Sequence, residues 1–299
     1  MKKLQDIVHT IATLRMHDSK FLDELTLLLS TELAPLCMLG PCVSRVITKP
    51  LGYAGDYITI DMIYNYPEAD KDLHPVGAAI DKAFFELPAA KAVQNRRGLL
   101  TKEIREVASS SRSGEKHITT LACGPAREVQ DYFMDQADNG EDCDSSPSKV
   151  NFHLLDLDKN ALDLVNEWRQ STIHPSQASR ISLYEKNLIY LCVGKEKIDL
   201  PPQDLVYSMG LIDYFSDEVV VRLLNYIHDV LKPGGKVILG NFHKRNPTRV
   251  LMDTLLDWKL IHRDEEDMNR LFRRSKFGRG CTEIISDETG VQLLACCEK

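Results

Sequence analysis

From residue 115 onward, short apolar runs alternate with longer amphipathic stretches, the pattern of a parallel sheet wound with helices. His117–Leu121 predicts the first strand, Asn151–Asp156 the second, Arg180–Tyr184 the third, Asp204–Gly210 the fourth and Lys236–Gly240 the fifth. The fourth is apolar almost throughout, as a strand covered on both faces must be. Before the fifth, Val219, Leu223, Leu224, Ile227 and Leu231 form a helical stripe, with Ser216 as its expected cap and Lys232-Pro233-Gly234-Gly235 as its stop. Residues 247–272 are again helical in pattern, around Trp258, Leu260 and Ile261. Thr282–Ile285 and Val291–Ala295 flank Asp287-Glu288-Thr289-Gly290 and predict a closing hairpin. The expected fold is α/β: a Rossmann-like sheet, mostly parallel, with a C-terminal antiparallel hairpin.

The first hundred residues read differently. Residues 1–48 are helical in pattern, with Phe21, Leu22, Leu25 and Leu27–Leu29 apolar. Lys49-Pro50-Leu51-Gly52-Tyr53-Ala54-Gly55-Asp56-Tyr57 then packs two glycines, a proline and two tyrosines into nine positions, with Tyr64 soon after. Glycines permit backbone that folds over a ligand, and Tyr57 and Tyr64 offer flat faces that favour a cation. A tight loop with buried tyrosines explains the same residues. Residues 77–108 predict one long helix or two broken at Pro88, interrupted by Gln94-Asn95-Arg96-Arg97. Arg96 is either a clamp for a carboxylate or part of a solvated basic turn. Ser109–Gly114 reads as a polar hinge, so the expected organisation is a helical, lid-like region 1–112 and a sheet domain 113–299.

Composition narrows the function. The net charge of −7 argues against a general nucleic-acid binder. No apolar run approaches the ~18 residues of a membrane span, and the N-terminus lacks the apolar core of a signal peptide. Eight cysteines without a C-x-x-C pair suit free thiols in a cytoplasmic protein. No cluster with metal-ligand spacing is visible, so no metal is expected.

The chemistry gathers where the first strand ends. Ala122-Cys123-Gly124-Pro125-Ala126 is a turn of small residues that leads into a helix. Cys123 is either a nucleophile or simply a small turn residue. A dinucleotide site needs the spacing G-x-G-x-x-G, so that pyrophosphate can sit on backbone amides. Only Gly124 is present, which suits a nucleoside without phosphate, such as S-adenosylmethionine. Asp156 ends the second strand and can accept both ribose hydroxyls. It lies 32 residues after Gly124 rather than the usual interval of about 20. The polar stretch 137–150 reads as a surface insertion that accounts for the excess. Leu157 offers adenine an apolar contact, and Asn187 with Leu188 lies where its amino group would be read. Asp158 caps the helix that follows the second strand. Ser208, Met209 and Gly210 line the crevice at the fourth strand, and Asp213, Tyr214 and His243 are the candidate catalytic groups. A carboxylate acceptor needs no general base, whereas a hydroxyl needs one such as His243 or Asp213. Arg270, Arg273, Arg274, Lys276 and Arg279 face either an acidic carrier protein or solvent.

The order of these features over 115–299 resembles the class I S-adenosylmethionine-dependent methyltransferases. The glycine turn, the ribose acid, Leu231–Gly235 and the closing hairpin recur there in this order. That family often carries an acid where Ala122 stands, so the methionine amine must find another partner here. A narrower resemblance spans nearly the whole chain. Lys49–Tyr57, Ala92-Val93-Gln94-Asn95-Arg96, Leu121–Glu128 and Gly210-Leu211-Ile212-Asp213-Tyr214 are similar to the bacterial PhcB-type methyltransferases. That resemblance implies O-methylation of a carboxylate on a fatty-acid-like small molecule. Other expectations are methylation of a hydroxyl or amine, or a silent S-adenosylmethionine-binding sensor. A homodimer is a further expected arrangement.

Overall fold

The computed structural model describes residues 19–66, 74–110, 114–138 and 149–299. Most of the expected insertion, 139–148, lies outside them, as do 1–18 and the centre of the expected hinge. The described chain divides into two compact units. The first holds the residues up to 94 with 245–260 and 288–291, and the second holds 95–244, 261–287 and 292–299.

The first unit is helical: α1 (Ser19–Leu28), a π-helical turn at Leu29–Leu33, α2 (Ala34–Cys37), α3 (Pro41–Thr48), α4 (Tyr57–Tyr64) and α5 (Pro75–Phe85). Buried carboxylates hold it. Asp81 accepts the Cys42 and Val43 amides that start α3, at 3.0 and 3.1 Å. Asp56 caps α4 through the Thr59 amide at 2.9 Å and takes a two-pronged bond from Arg45 at 3.1 and 2.9 Å. The glycine- and tyrosine-rich loop is therefore closed by an ion pair whose acid is fully buried. Tyr57 and Tyr64 open and close α4, half-buried, seven residues apart and so on one face.

Helix α6 (Pro88–Ser109) begins at Pro88, as a first-turn proline should, so 77–108 forms two helices, not one. The division between the units falls within it.

The second unit is a seven-stranded sheet in the order β3-β2-β1-β4-β5-β7-β6. Its strands are β1 (Lys116–Leu121), β2 (Val150–Asp156), β3 (Ile181–Glu185), β4 (Gln203–Ser208), β5 (Leu231–Phe242), β6 (Glu283–Ser286) and β7 (Gln292–Glu298). The first five run parallel, and β7 and β6 close the sheet antiparallel. Helices cover both faces. Leu100 and Ile104 of α6 pack on one face with Phe133 of α7 (Arg127–Asp138) and Trp168 of α8 (Lys159–Ser171). On the other lie Leu191 of α10 (Leu188–Cys192), Leu223 and Ile227 of α11 (Asp217–Val230), and Leu271 of α13 (Glu265–Arg274). A one-turn α9 (Pro175–Ala178) precedes β3, and α12 (Arg249–Thr254) belongs to the first unit.

Several local expectations are corrected. Strand β5 starts at Leu231, but Lys232–Gly235 bulge out of its pairing with β4, which resumes where Lys236 stands opposite Leu205, and Gly234 takes a left-handed φ of 73°. Gly235 presses on the Gln203 carbonyl, where β4 shifts register, and a Cβ at 235 would lie 2.7 Å from that oxygen. At its other end β5 runs on to Phe242, so Asn241 and Phe242 lie inside the strand, paired with Leu293 and Gln292 of β7. Strand β4 ends at Ser208, leaving Met209 and Gly210 beyond it. Residues 247–272 are not one helix. Asp257 adopts a left-handed φ of 43°, ending the helical path, and an Asp264–Asp267 capping box starts α13 afresh. Ser216 occupies the cap position of α11 without a side-chain bond to its amides, whereas Asp158 does cap α8.

Candidate active site

The strand order reverses direction between β1 and β4, which makes their carboxyl ends the crevice of an open α/β sheet. The turn after β1 is strained. Ala122, Gly124 and Ala126 have φ of 55°, 52° and 47°. Left-handed backbone is natural for glycine, but at alanine it costs about 1–2 kcal/mol. Such geometry persists only where the surroundings enforce it. Register supplies the enforcement: Leu121 pairs with Leu155, so Asp156 stands beside the turn whatever the length of the intervening chain. The Cys123 amide donates to the Leu155 carbonyl at 2.9 Å, and the Gly124 amide donates to Asp156 Oδ2 at 2.9 Å. Trp168 Nε1 anchors the back of the turn on the Pro125 carbonyl at 3.1 Å. Pro125 itself precedes α7 rather than sitting in its first turn.

Asp156 also accepts the Asp158 amide, on Oδ1 at 2.9 Å. A carboxylate offers about four acceptor sites, so two remain for a ligand. Burial pushes its carboxyl above the ordinary aspartate range, against the pull of these amides. A Cβ at Gly124 would meet nothing within 4 Å, so the turn's outer face is open. Leu157 is 64% exposed beside it. Asn187 is a helix cap: its side-chain oxygen takes the Ile189 and Tyr190 amides at 3.0 and 3.3 Å, while its amide nitrogen takes no part in that cap. Leu188 is buried in the core behind it. Cys123 is buried, and burial pushes its thiol up, which fits a small turn residue rather than a nucleophile.

At β4, Ser208 Oγ donates to the Leu121 carbonyl at 2.7 Å and ties the two strand ends together. Met209 fits because Gly240 leaves it room; a Cβ there would lie 2.1 Å from its sulfur. Gly210 has φ 70°, and the Arg96 guanidinium occupies the space beside it, 3.0 Å from where a Cβ would be. Arg96 is thus buried at the β4 tip and is not part of a solvated turn. Asp213, in the 3₁₀ turn Ile212–Tyr214, is buried, and its Oδ1 takes the Phe242 amide at 2.7 Å. Burial pushes its carboxyl up to about 6, although the Phe242 amide, Arg96 and Arg263 pull the other way. Tyr214 is half-exposed at the rim. His243 is buried just past β5, and its Nε2 lies 3.0 Å from Glu265 Oε2.

Two residues were not singled out by sequence. Glu265 is the partner of His243. Arg263 spends all five N–H groups on Ile212 and Phe215 carbonyls, Asn241 Oδ1 and Asp217 Oδ1, which fixes the 3₁₀ turn against β5. An arginine in an irregular segment carries no periodic signal. The basic cluster is answered locally. Arg270 pairs with Asp217 and Asp267, Arg273 with Glu266, Arg274 with Glu218 and Lys276 with Asp229, while Arg279 donates to the Glu298 carbonyl. Among the described residues no group of three or more His, Cys, Asp or Glu is placed to hold a metal ion, and no helix is long and apolar enough to cross a membrane.

No protein-family model matches the sequence, and no curated protein matches it. Solved structures do. A possible exported protein from Bordetella parapertussis superposes with a TM-score of 0.63 at 18% identity, over 86% of each chain. A candidate O-methyltransferase from Nostoc punctiforme PCC 73102 gives 0.51 at 15%, over 89% of this chain and 71% of that one. Magnesium protoporphyrin IX methyltransferase from Synechocystis PCC 6803, with bound S-adenosylhomocysteine, gives 0.50 at 10%, over 71% and 87%. What is shared at these identities is the fold: the Rossmann-like sheet of the methyltransferases.

Proposed function

We propose that this chain is an S-adenosylmethionine-dependent methyltransferase that O-methylates a carboxylate on a small, acyl-type molecule. The observation that carries the reading is the 2.9 Å bond from the Gly124 amide to Asp156, which locks a strained, open turn to an acid with acceptor sites to spare. These residues fit a nucleoside without phosphate. Asp156 would take the ribose hydroxyls, Leu157 and the Asn187 amide would face adenine, and Ala122–Pro125 would lie along the bound molecule. Ser208–Gly210 and Arg96 would hold its amino-acid end. S-adenosylmethionine supplies, when bound, a methyl group on a positively charged sulfur. The protein's part is to align the acceptor and exclude water, and positioning of this kind supplies much of such a rate enhancement. The narrow sequence resemblance supports a carboxylate acceptor, which is ionised at neutral pH and needs no base.

A second reading rests on His243 and Glu265. An imidazole held by a carboxylate at 3.0 Å is the arrangement of a general base, which a hydroxyl acceptor requires.

The test is a tritiated-methyl transfer assay on bacterial lipid extract and on fatty acids, with wild type and His243→Ala. Label in a base-labile methyl ester, with kcat in the variant within about tenfold of wild type, is the expected result. A loss of a thousandfold or more with S-adenosylhomocysteine affinity intact favours the hydroxyl reading. Tight binding with no transfer to any extract would reduce the chain to a sensor.

A further inference from the structure

Two histidines meet on the sheet well below the strand tips. Ile118, Phe152 and Ile181 face the core shared with α6, α7 and α8. Side chains alternate between the faces of a strand, so His117, His153 and Tyr184 stand on the opposite face, with Leu121 and Leu155. Register fixes them there. His117 is opposite Asn151 and Thr119 is opposite His153, so the imidazoles are diagonal neighbours on β1 and β2. His117 Nδ1 and His153 Nε2 are 3.2 Å apart. His153 Nδ1 lies 3.2 Å from the Tyr184 hydroxyl on β3. His153 is buried, but His117, Asn151, Ser182 and Tyr184 are only half-buried, so the pair is within reach of solvent.

This geometry is that of a chelating pair. Two imidazole nitrogens bound to one tetrahedral ion at ordinary lengths stand about 3.3–3.4 Å apart, close to the separation here. A ligating histidine passes its other ring N–H to an outer partner, and the Tyr184 hydroxyl is placed to accept it from His153. The surroundings are acidic on balance. Asp204 accepts the His117 amide at 2.8 Å and pairs with Lys232 at 2.6 Å, and the exposed Glu115 accepts from Asn151 at 3.3 Å, directly opposite His117. Without an ion the two rings share one N–H···N bond. An ion replaces the shared hydrogen with no change in the charge of either ring: the donor imidazole moves that proton to its other nitrogen, and the two lone pairs converge. Imidazole suits zinc, copper and nickel, whereas magnesium and calcium seek oxygen. We propose that His117 and His153 form a two-histidine site for a divalent transition-metal ion of the zinc type, with water or Glu115 in the remaining positions. The ion bridges β1 and β2, the strands whose register sets Asp156 beside the turn, and so braces that register. The proposal is independent of the S-adenosylmethionine reading.

Calorimetry and thermal melts on the chelator-treated full chain test it, with zinc chloride and magnesium chloride as probes. Zinc should bind one to one and raise Tm by roughly 3–8 °C at a hundredfold excess over its Kd, and magnesium should do neither. Tyr184→Phe keeps both ligands and loses only the outer acceptor; it should weaken zinc by about tenfold. His117→Gln and His153→Gln should each weaken it further. Cobalt(II) in place of zinc should show visible bands without the near-ultraviolet charge transfer of a thiolate, which separates this site from the cysteines. No zinc binding, binding that survives both glutamine variants, a thiolate band, or equal binding of magnesium would overturn the site and leave the pair an N–H···N bond alone. Were the glutamine variants not to fold, Tyr184→Phe and the wild-type cobalt spectrum would decide it.

Discussion

At the amino end of the sheet, Asp204 gives one oxygen to Lys232 Nζ at 2.6 Å and the other to the His117 amide at 2.8 Å. Nearby, Thr119 donates to Gln203 at 2.8 Å, Lys236 pairs with Glu103, and Lys299 donates to the Leu231 carbonyl at 2.7 Å. Each of these charges has a partner of opposite sign or a carbonyl. At the carboxyl end the same strands lead to Asp156 and Asp213, both pushed up by burial, and to a turn in left-handed backbone. One end is closed and relaxed, and the other is strained and carries buried acids. Tolerance of strain at one end of an otherwise satisfied sheet marks where binding is paid for by the rest of the fold.

The contrast can be broken most decisively by exchanging its acids for alanine. Asp156→Ala should cost about a hundredfold in S-adenosylhomocysteine affinity, the loss of two bonds to a charged acceptor. Asp204→Ala should leave that affinity unchanged while lowering Tm, because Lys232 and the His117 amide lose their partner. Calorimetry and thermal melts on both variants check this; similar affinity losses would erase the distinction between the ends.

A middle-sized effect lies between them, on the sheet face. His117 Nδ1 and His153 Nε2 are 3.2 Å apart, and His153 Nδ1 is 3.2 Å from the Tyr184 hydroxyl. Burial holds both imidazoles down, His153 to about 4. The unfolded chain therefore binds these protons first. The stability contributed is fully present above the unfolded histidine value of about 6.5 and is lost as pH falls toward about 4. A decline of roughly 2–3 kcal/mol is expected over that window. His153→Gln should flatten it in melts taken across the range; an unchanged slope would place the acid sensitivity elsewhere.

The smallest effect concerns the turn itself. Ala122→Gly relieves the left-handed strain and should raise stability by up to about 1 kcal/mol, offset in part by the entropy of glycine in the unfolded chain. A melt reads it directly, and destabilisation would mean that the alanine methyl packs better than its backbone suggests.

What could be read from the sequence followed the apolar runs. The strands and the two-sided core are fixed by where Ile118, Phe152, Val206 and Val237 stand, because burying them admits few arrangements. Asp156 was legible for a similar reason: register, not chain distance, sets it beside Gly124. The left-handed form of Ala122 and Ala126 was not, since alanine has no preference for it and only the tertiary bonds impose it. Nor was the early start of β5: Lys232-Pro233-Gly234-Gly235 carries a turn composition and does bulge from the sheet, and only Leu231 before it pairs with β4. Glu265 and Arg263 act through contacts made across irregular chain, where no period announces them.

Trp168, bound through its indole N–H to the carbonyl of Pro125, gives the turn an optical consequence. The chain has only one other indole, Trp258, so replacing that one with phenylalanine leaves a single native emitter behind the loop. Its emission would report occupancy of the crevice in real time, without a dye, a label or a turnover assay.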